Sequence, residues 1–274
     1  MQTLSPMIYK FTGAGNNFVV LDGRQGGMEE FRSADRIRSL CREYGTDGLM
    51  ILGLAEGNGT TAADFSMEFY NPDGSGGMMC GNGGRCIVAF ADYLGLVPAS
   101  ADGTWHFLAP DGMHSAVILD KTPGRWTVRL RMIDVTSVES ISGGYFLNTG
   151  TRHFVKFVPS VDTIDIEAVA KPIRWAPEFA PEGVNVNFVE VSPDGLRVRT
   201  FEKGVEGETL ACGTGLTASA IAAFVRGIPS PAGLTPEGAG YRLQCRRGDW
   251  LQVEFSASGQ SFTSVHLTGP AEII

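Results

Sequence analysis

Cys80-Gly81-Asn82-Gly83 and Cys212-Gly213-Thr214-Gly215 are the two stretches on which the reading of this chain turns. Each opens an apolar, helix-like segment, the first closing at Gly95 and the second at Gly227, and the two are offset by 132 residues in a chain of 274. A similarity spaced at almost half the chain points to two related domains in tandem rather than to a solenoid of short repeats. Ile87, Val88, Phe90, Ala91 and Leu94 cover most of the circumference of the first segment, and Gly213 to Val225 carries no charge. A helix that is apolar all round belongs inside a fold, so each segment is expected at the centre of its own domain.

Around these segments the chain reads mainly as strands. Trp126 to Met132, Leu251 to Phe255 and Ser264 to Leu267 alternate apolar and polar residues with period two, the pattern of half-buried, mostly antiparallel strands. Met7 to Phe11, Phe18 to Leu21, Phe65 to Tyr70, Phe154 to Val158, Val184 to Val191 and Leu196 to Phe201 are further β-rich runs. Helical spacing recurs at Ala34, Ile37, Leu40, Cys41 and Tyr44 behind a capping Ser33, and from Asp162 to Lys171, where Pro172 should stop the helix. The class is therefore α+β, as two pseudo-symmetric domains, each a mostly antiparallel sheet or barrel around a buried helix. The Pro-Gly turn near Asp120 to Gly124 suggests a first domain of residues 1–122 carrying Cys80 and a second of residues 123–263 carrying Cys212.

Composition narrows the function. With 22 basic against 30 acidic residues the net charge is −8, which disfavours nucleic acid as a partner. The longest uncharged stretch is too short to span a bilayer and the N-terminus lacks a signal-peptide pattern, so no membrane partner and a cytoplasmic location are expected. Five cysteines without a CxxC pair argue against a disulfide scaffold or a structural zinc site, and no metal ligand set is assigned. Cys41, Cys86 and Cys245 read as core residues. Glycine, at 36 residues, is nearly double the usual ~7% and clusters at Gly13 and Gly15, Gly74 to Gly84 and Gly204 to Gly215, where backbone could approach a ligand.

A cysteine followed by Gly-x-Gly at a helix start meets unpaired backbone N–H groups and the positive end of the helix dipole, which bind an anion and favour the thiolate. Two such sites, if the domains face each other, would place a sulfur on either face of one small anionic ligand. That arrangement suits inversion at a carbon next to a carboxylate, one thiolate removing the α-proton and the other thiol delivering a proton to the opposite face. Neither metal nor pyridoxal cofactor is required.

The segments Thr12 to Phe18 (TGAGNNF), Asn71 to Ser75 (NPDGS), Cys80 to Cys86 (CGNGGRC), Phe201 to Gly204 (FEKG), Glu208 to Gly215 (ETLACGTG) and Leu267 to Glu272 (LTGPAE) resemble, in order, those of the diaminopimelate epimerases. The resemblance implies a cofactor-independent isomerase of LL- and meso-diaminopimelate, acting in lysine and cell-wall synthesis on a small amino-acid substrate. It implies Cys80 and Cys212 as the acid/base pair, with the amides of Gly81, Asn82, Gly213 and Thr214 holding the reacting carboxylate. Asn16, Asn71 and Asn185 match positions that contact substrate. His153 and Glu202 match positions that engage the reacting amino group or tune the thiols. It also implies that a final strand, about residues 264–274, returns to the first domain. A homodimer is left open. Lys203 stands where many relatives have Arg, Thr151 where many have Asn, Arg152 where many have Pro, and Gly48 where some have Gln. Lys203 and Thr151 match positions serving the distal end of the ligand, so a two-thiol racemase of another amino acid is the alternative, and a non-catalytic thiol sensor the third reading.

Overall fold

A computed structural model describes residues 6–55, 63–77, 79–230, 234–235 and 238–274. The chain divides into two compact units, one of residues 1–130 with 269–274 and the other of residues 131–268. The division falls after Leu130 and not at the Pro123-Gly124 turn. That turn joins two paired strands of one unit, Thr122 lying opposite Arg125.

The first unit contains β1 (Ile8–Gly13), β2 (Asn16–Asp22), α1 (Ala34–Tyr44), β3 (Leu49–Gly53), β4 (Phe65–Tyr70), α2 (Gly81–Tyr93), β5 (Thr104–Ala109), β6 (Gly112–Thr122) and β7 (Arg125–Arg131). Successive strands pair from β1 to β7. Gly269 to Glu272 then pairs with β7, and Glu272 and Ile273 pair with β1. The ring of eight strands is thereby closed, which removes its edges. The returning segment begins at Gly269, five residues later than expected. Two neighbours, β2 with β3 and β4 with β5, are parallel. Each parallel step needs a crossover, and α1 and α2 respectively supply it.

The two helices take different places because their sequences differ. In α1 the Ser33 hydroxyl caps Arg36 N at 3.3 Å, and the apolar face of Ile37, Leu40 and Cys41 packs on Val19, Leu21, Leu49 and Ile51. Every residue of α2 from Gly81 to Ala91 is buried, matching its all-round apolar sequence. Its ring contacts, Phe90 against Tyr9 and Phe11, anchor it to β1.

The second unit repeats this plan with β8 (Glu139–Ile141), β9 (Gly144–Asn148), β10 (Arg152–Phe157), α3 (Ile166–Arg174), β11 (Asn185–Ser192), β12 (Gly195–Glu202), β13 (Gly207–Thr209), α4 (Gly213–Val225), β14 (Leu234–Thr235), β15 (Gly238–Gln244), β16 (Trp250–Ser258) and β17 (Ser261–Ile273), the last belonging to this unit as far as Thr268. Parallel pairs recur where the repeat requires them, β10 with β11 around α3 and β12 with β15 around α4. The remaining neighbours are antiparallel, so "mostly antiparallel" holds with two parallel steps per unit.

Pro172 does not stop α3, which runs to Arg174 behind an Asp165 cap. Burial of Ile166, Ala170 and Arg174 on one face holds the last turn in place despite the lost backbone donor. In α4 the buried hydroxyls of Thr217 and Ser219 donate to the carbonyls of Gly213 and Gly215, so these polar side chains are satisfied inside an apolar helix. Cys41, Cys86 and Cys245 are all buried, and burial pushes each thiol pKa up. None of the helices in the described residues is long and apolar enough to cross a membrane.

Candidate active site: two cysteine-capped helices

Cys80 is the N-cap of α2, in extended conformation, and its Sγ accepts from Gly83 N at 3.2 Å while its carbonyl accepts from Gly84 N at 2.8 Å. The sulfur thus occupies the place of a capping oxygen and meets the positive end of the helix, which favours the thiolate. Cys212 is likewise the N-cap of α4, is 7% exposed, and lies 3.5 Å from the Thr214 hydroxyl.

The second glycine of each motif explains its spacing. A Cβ on Gly83 would stand 3.2 Å from the Cys80 sulfur, and one on Gly215 3.3 Å from the Cys212 sulfur and 2.4 Å from Asn187 Oδ1. Gly215→Ala is therefore expected to cost about 1–3 kcal/mol, as over-packing of a core does, and Gly83→Ala less, since its neighbours are thioether and thiol atoms. Denaturant midpoints would check this; a Gly215→Ala protein as stable as the native one would contradict it.

Around Cys80 the sequence-assigned Asn16 and Asn82 are linked through Arg85, which the sequence reading did not single out. Arg85 is fully buried and donates to Gly81 O at 3.1 Å and Asn82 Oδ1 at 2.9 Å. Because Asn82 turns its oxygen to Arg85, its amide nitrogen donates to Asn16 Oδ1. Asn16 follows the two-residue turn of Ala14 and Gly15, both at positive φ, which joins β1 to β2. Gly13 lies so close to α2 that a Cβ there would meet Asn82 O at 2.8 Å. This glycine therefore serves contact between turn and helix. Asn71 is held in its own turn, donating to Ser75 Oγ at 3.0 Å. Gly48 is buried, and a Cβ there would stand 2.8 Å from Tyr70 O, so the backbone fills the space a longer residue would need.

Around Cys212 the set is denser. Thr151 Oγ1 lies 2.9 Å from His153 Nε2 and accepts from Asn185 Nδ2 at 3.1 Å. His153 Nε2 lies 3.0 Å from Thr214 Oγ1. Asn185 also donates to Arg152 O at 3.0 Å and accepts from Lys203 N at 2.7 Å, so its amide ties β10 to the turn after β12. Glu202, half-buried, ends β12 and pairs with Gly207, while Lys203 beside it is exposed. Arg152 points elsewhere, donating to Phe179 O at 3.1 Å and lying over the Phe146 ring. Three supporting residues escaped the sequence reading. Thr149 donates to Thr214 O at 2.9 Å, Thr200 to Asn187 Oδ1 at 2.9 Å, and Asn187 to Phe154 O at 3.1 Å. Asn187 stands two residues after Asn185 on the same strand face, a polar interruption of an apolar run that could have marked it.

His153 is fully buried, and desolvation lowers its pKa to about 3 against the ordinary 6.5. A histidine whose folded pKa is depressed binds its proton in the unfolded state first, so stability falls as pH drops below about 6.5 and keeps falling towards 3. Between pH 7 and pH 5 this one group should withdraw about 2 kcal/mol. The difference between native protein and His153→Gln in the pH dependence of urea unfolding isolates that amount, and identical slopes would contradict it. Among the described residues no group of three or more His, Cys, Asp or Glu side chains could hold a metal ion.

The fold is shared by solved structures of several proteins. A hydroxyproline epimerase from Agrobacterium vitis superposes with a TM-score of 0.61 at 17% identity, covering 98% of this chain and 90% of that one. A phenazine biosynthesis protein of the PhzF family from Bacillus anthracis superposes with a TM-score of 0.73 at 11% identity, covering 99% and 98%. In sequence, the chain is 37% identical to the diaminopimelate epimerase of Flavobacterium psychrophilum, over 97% of each. It is 35% identical to that of Chlorobaculum tepidum, over 96% of this chain and 97% of the relative. The diaminopimelate epimerase family model matches residues 145–266. The chain belongs to the diaminopimelate epimerase family and is an isomerase.

Proposed function

We propose that this protein interconverts LL- and meso-diaminopimelate by a two-thiol mechanism, in lysine and peptidoglycan synthesis, without metal or pyridoxal cofactor. The observation that carries the reading is a repeated placement: in each unit a cysteine stands at the N-cap position of the buried helix, with Gly-x-Gly behind it, although only the Cys80 sulfur accepts a capping N–H. One cysteine capping one helix would be an ordinary activated thiol. Two in a duplicated fold supply what inversion needs, a base for one face of the α-carbon and an acid for the other.

In this reading one sulfur, as thiolate, takes the α-hydrogen, so that a C–H bond breaks and an S–H bond forms. The electron pair left behind spreads into the carboxylate, whose growing charge is met by the N–H groups following each cysteine. The other thiol gives up its proton to the opposite face and becomes the thiolate, so the enzyme ends ready for the reverse reaction. Asn16 and Asn82, oriented through Arg85, would contact the amino-acid head, and Glu202 its amino group. Lys203 would meet the distal carboxylate.

A racemase of another amino acid is the second reading, favoured by Gly48, which has no room for a side chain, and by Lys203, which on the family resemblance stands where many relatives have arginine. Incubation with LL-diaminopimelate, meso-diaminopimelate, lysine and proline, followed by chiral analysis, separates the two. Interconversion of the diaminopimelate isomers alone supports the first, and equal or faster racemisation of lysine overturns it.

A further inference from the structure

Asn187 and His153 carry an inference that rests on the proposed role of Cys212. The orientation of the Asn187 amide is fixed from two sides. Its nitrogen donates to Phe154 O at 3.1 Å, an atom that can only accept, and its oxygen accepts from the Thr200 hydroxyl at 2.9 Å. The second hydrogen on that nitrogen is left facing His153 Nδ1 at 3.0 Å. An N–H donor pressed on Nδ1 requires the lone pair there, and places the imidazole proton on Nε2. Nε2–H in turn faces the hydroxyl oxygens of Thr214 at 3.0 Å and Thr151 at 2.9 Å. Thr151 Oγ1 already accepts from Asn185 Nδ2. When Thr214 accepts from the imidazole, its own hydrogen has two acceptors in reach, Thr151 Oγ1 at 3.4 Å and the Cys212 sulfur at 3.5 Å, and a thiolate is the stronger acceptor of the two.

We propose that Asn187 is a positioning residue that locks His153 as the Nε2–H tautomer, so that His153 works as a fixed hydrogen-bond donor and not as a proton acceptor, aiming the Thr214 hydroxyl at the Cys212 sulfur. The chain of donors runs Asn187 to His153 to Thr214 to Cys212, and every link points towards the thiolate. Burial keeps the imidazole neutral, so the direction of the chain does not reverse in the ordinary pH range. Cys80 is held differently, by the backbone N–H of Gly83, and the first motif carries Asn82 where the second carries Thr214.

Two measurements on the whole protein test this without using the isomerase reaction, so they can fail while the proposed function stands, or hold while it falls. The first is long-range 1H–15N correlation of the imidazole nitrogens near pH 7. Expected for His153 is a bare Nδ1 and a protonated Nε2. In Asn187→Asp, a near-isosteric change that replaces the donor with an acceptor, Nδ1 should become protonated. A native His153 with its proton on Nδ1, or with protons on both nitrogens, overturns the proposal. The second is the pH dependence of iodoacetamide alkylation at the Cys212 peptide, read by mass spectrometry. Thr214→Val, which keeps the shape and removes the hydroxyl, should slow alkylation at pH 7 roughly tenfold by raising the thiol pKa, whereas Thr214→Ser should restore it. Should Asn187→Asp fail to fold, the native tautomer and the Thr214 pair still decide the matter. Unchanged alkylation in Thr214→Val overturns the role given to the relay.

Discussion

Cys80→Ala and Cys212→Ala are each expected to lower turnover of diaminopimelate by roughly 10²–10⁴-fold, the range lost when a positioned acid or base is removed. The loss should be similar for both variants, because inversion requires a base on one face and an acid on the other and neither thiol substitutes for its counterpart. The fold should survive, since each cysteine stands at a helix end and alanine removes only one atom. Thermal unfolding of the variants checks that point and steady-state assays in both directions check the first. A single variant with near-native turnover would contradict the two-thiol assignment.

The second large effect concerns Lys203. Its backbone nitrogen is fixed by Asn185, and its side chain is exposed at the turn after β12. Glu206, in the same turn, is held below the ordinary carboxylate range chiefly by the Gly204 N–H, with Arg174 and Lys203 adding to it. A Lys203 ammonium meeting the distal carboxylate would act in ground and transition state alike, so its loss should appear in KM. A charge-assisted contact is worth ~1.5–3 kcal/mol, so Lys203→Ala should raise KM for diaminopimelate roughly 10- to 150-fold with little change in kcat. Lys203→Arg should keep most of the affinity, because charge is retained. An unchanged KM in Lys203→Ala would move the distal contact to other residues.

The parts of the fold legible in the sequence were those with a local cause. Ser33 capping and the Ile37, Leu40, Cys41 spacing define α1, and the cysteine-glycine openings with all-apolar continuations define α2 and α4. The parallel pairing of β2 with β3 was not legible, because alternation within a strand says nothing about which neighbour it finds. Pro172 misled because a local rule about helix breaking lost to burial of one helical face. At the candidate site, the placement of Cys80 and Cys212 at helix starts was legible from a repeated motif, but the contacts of Arg85 and Asn187 were not. Each acts by turning another side chain's amide or ring, and such an effect appears only when the partners of every donor and acceptor are counted.

Incubation of the native protein with LL-diaminopimelate in D2O, stopped at early conversion, tests the two-thiol account most directly. On that account the acid that delivers the proton is not the base that removed it. The meso product should therefore carry solvent deuterium at the inverted carbon, while recovered LL substrate keeps its original hydrogen. Deuterium entering the recovered substrate as fast as product forms would show one group serving both faces, and no deuterium in either isomer would show that the proton delivered does not come from a second, solvent-exchanged thiol; either result contradicts the account.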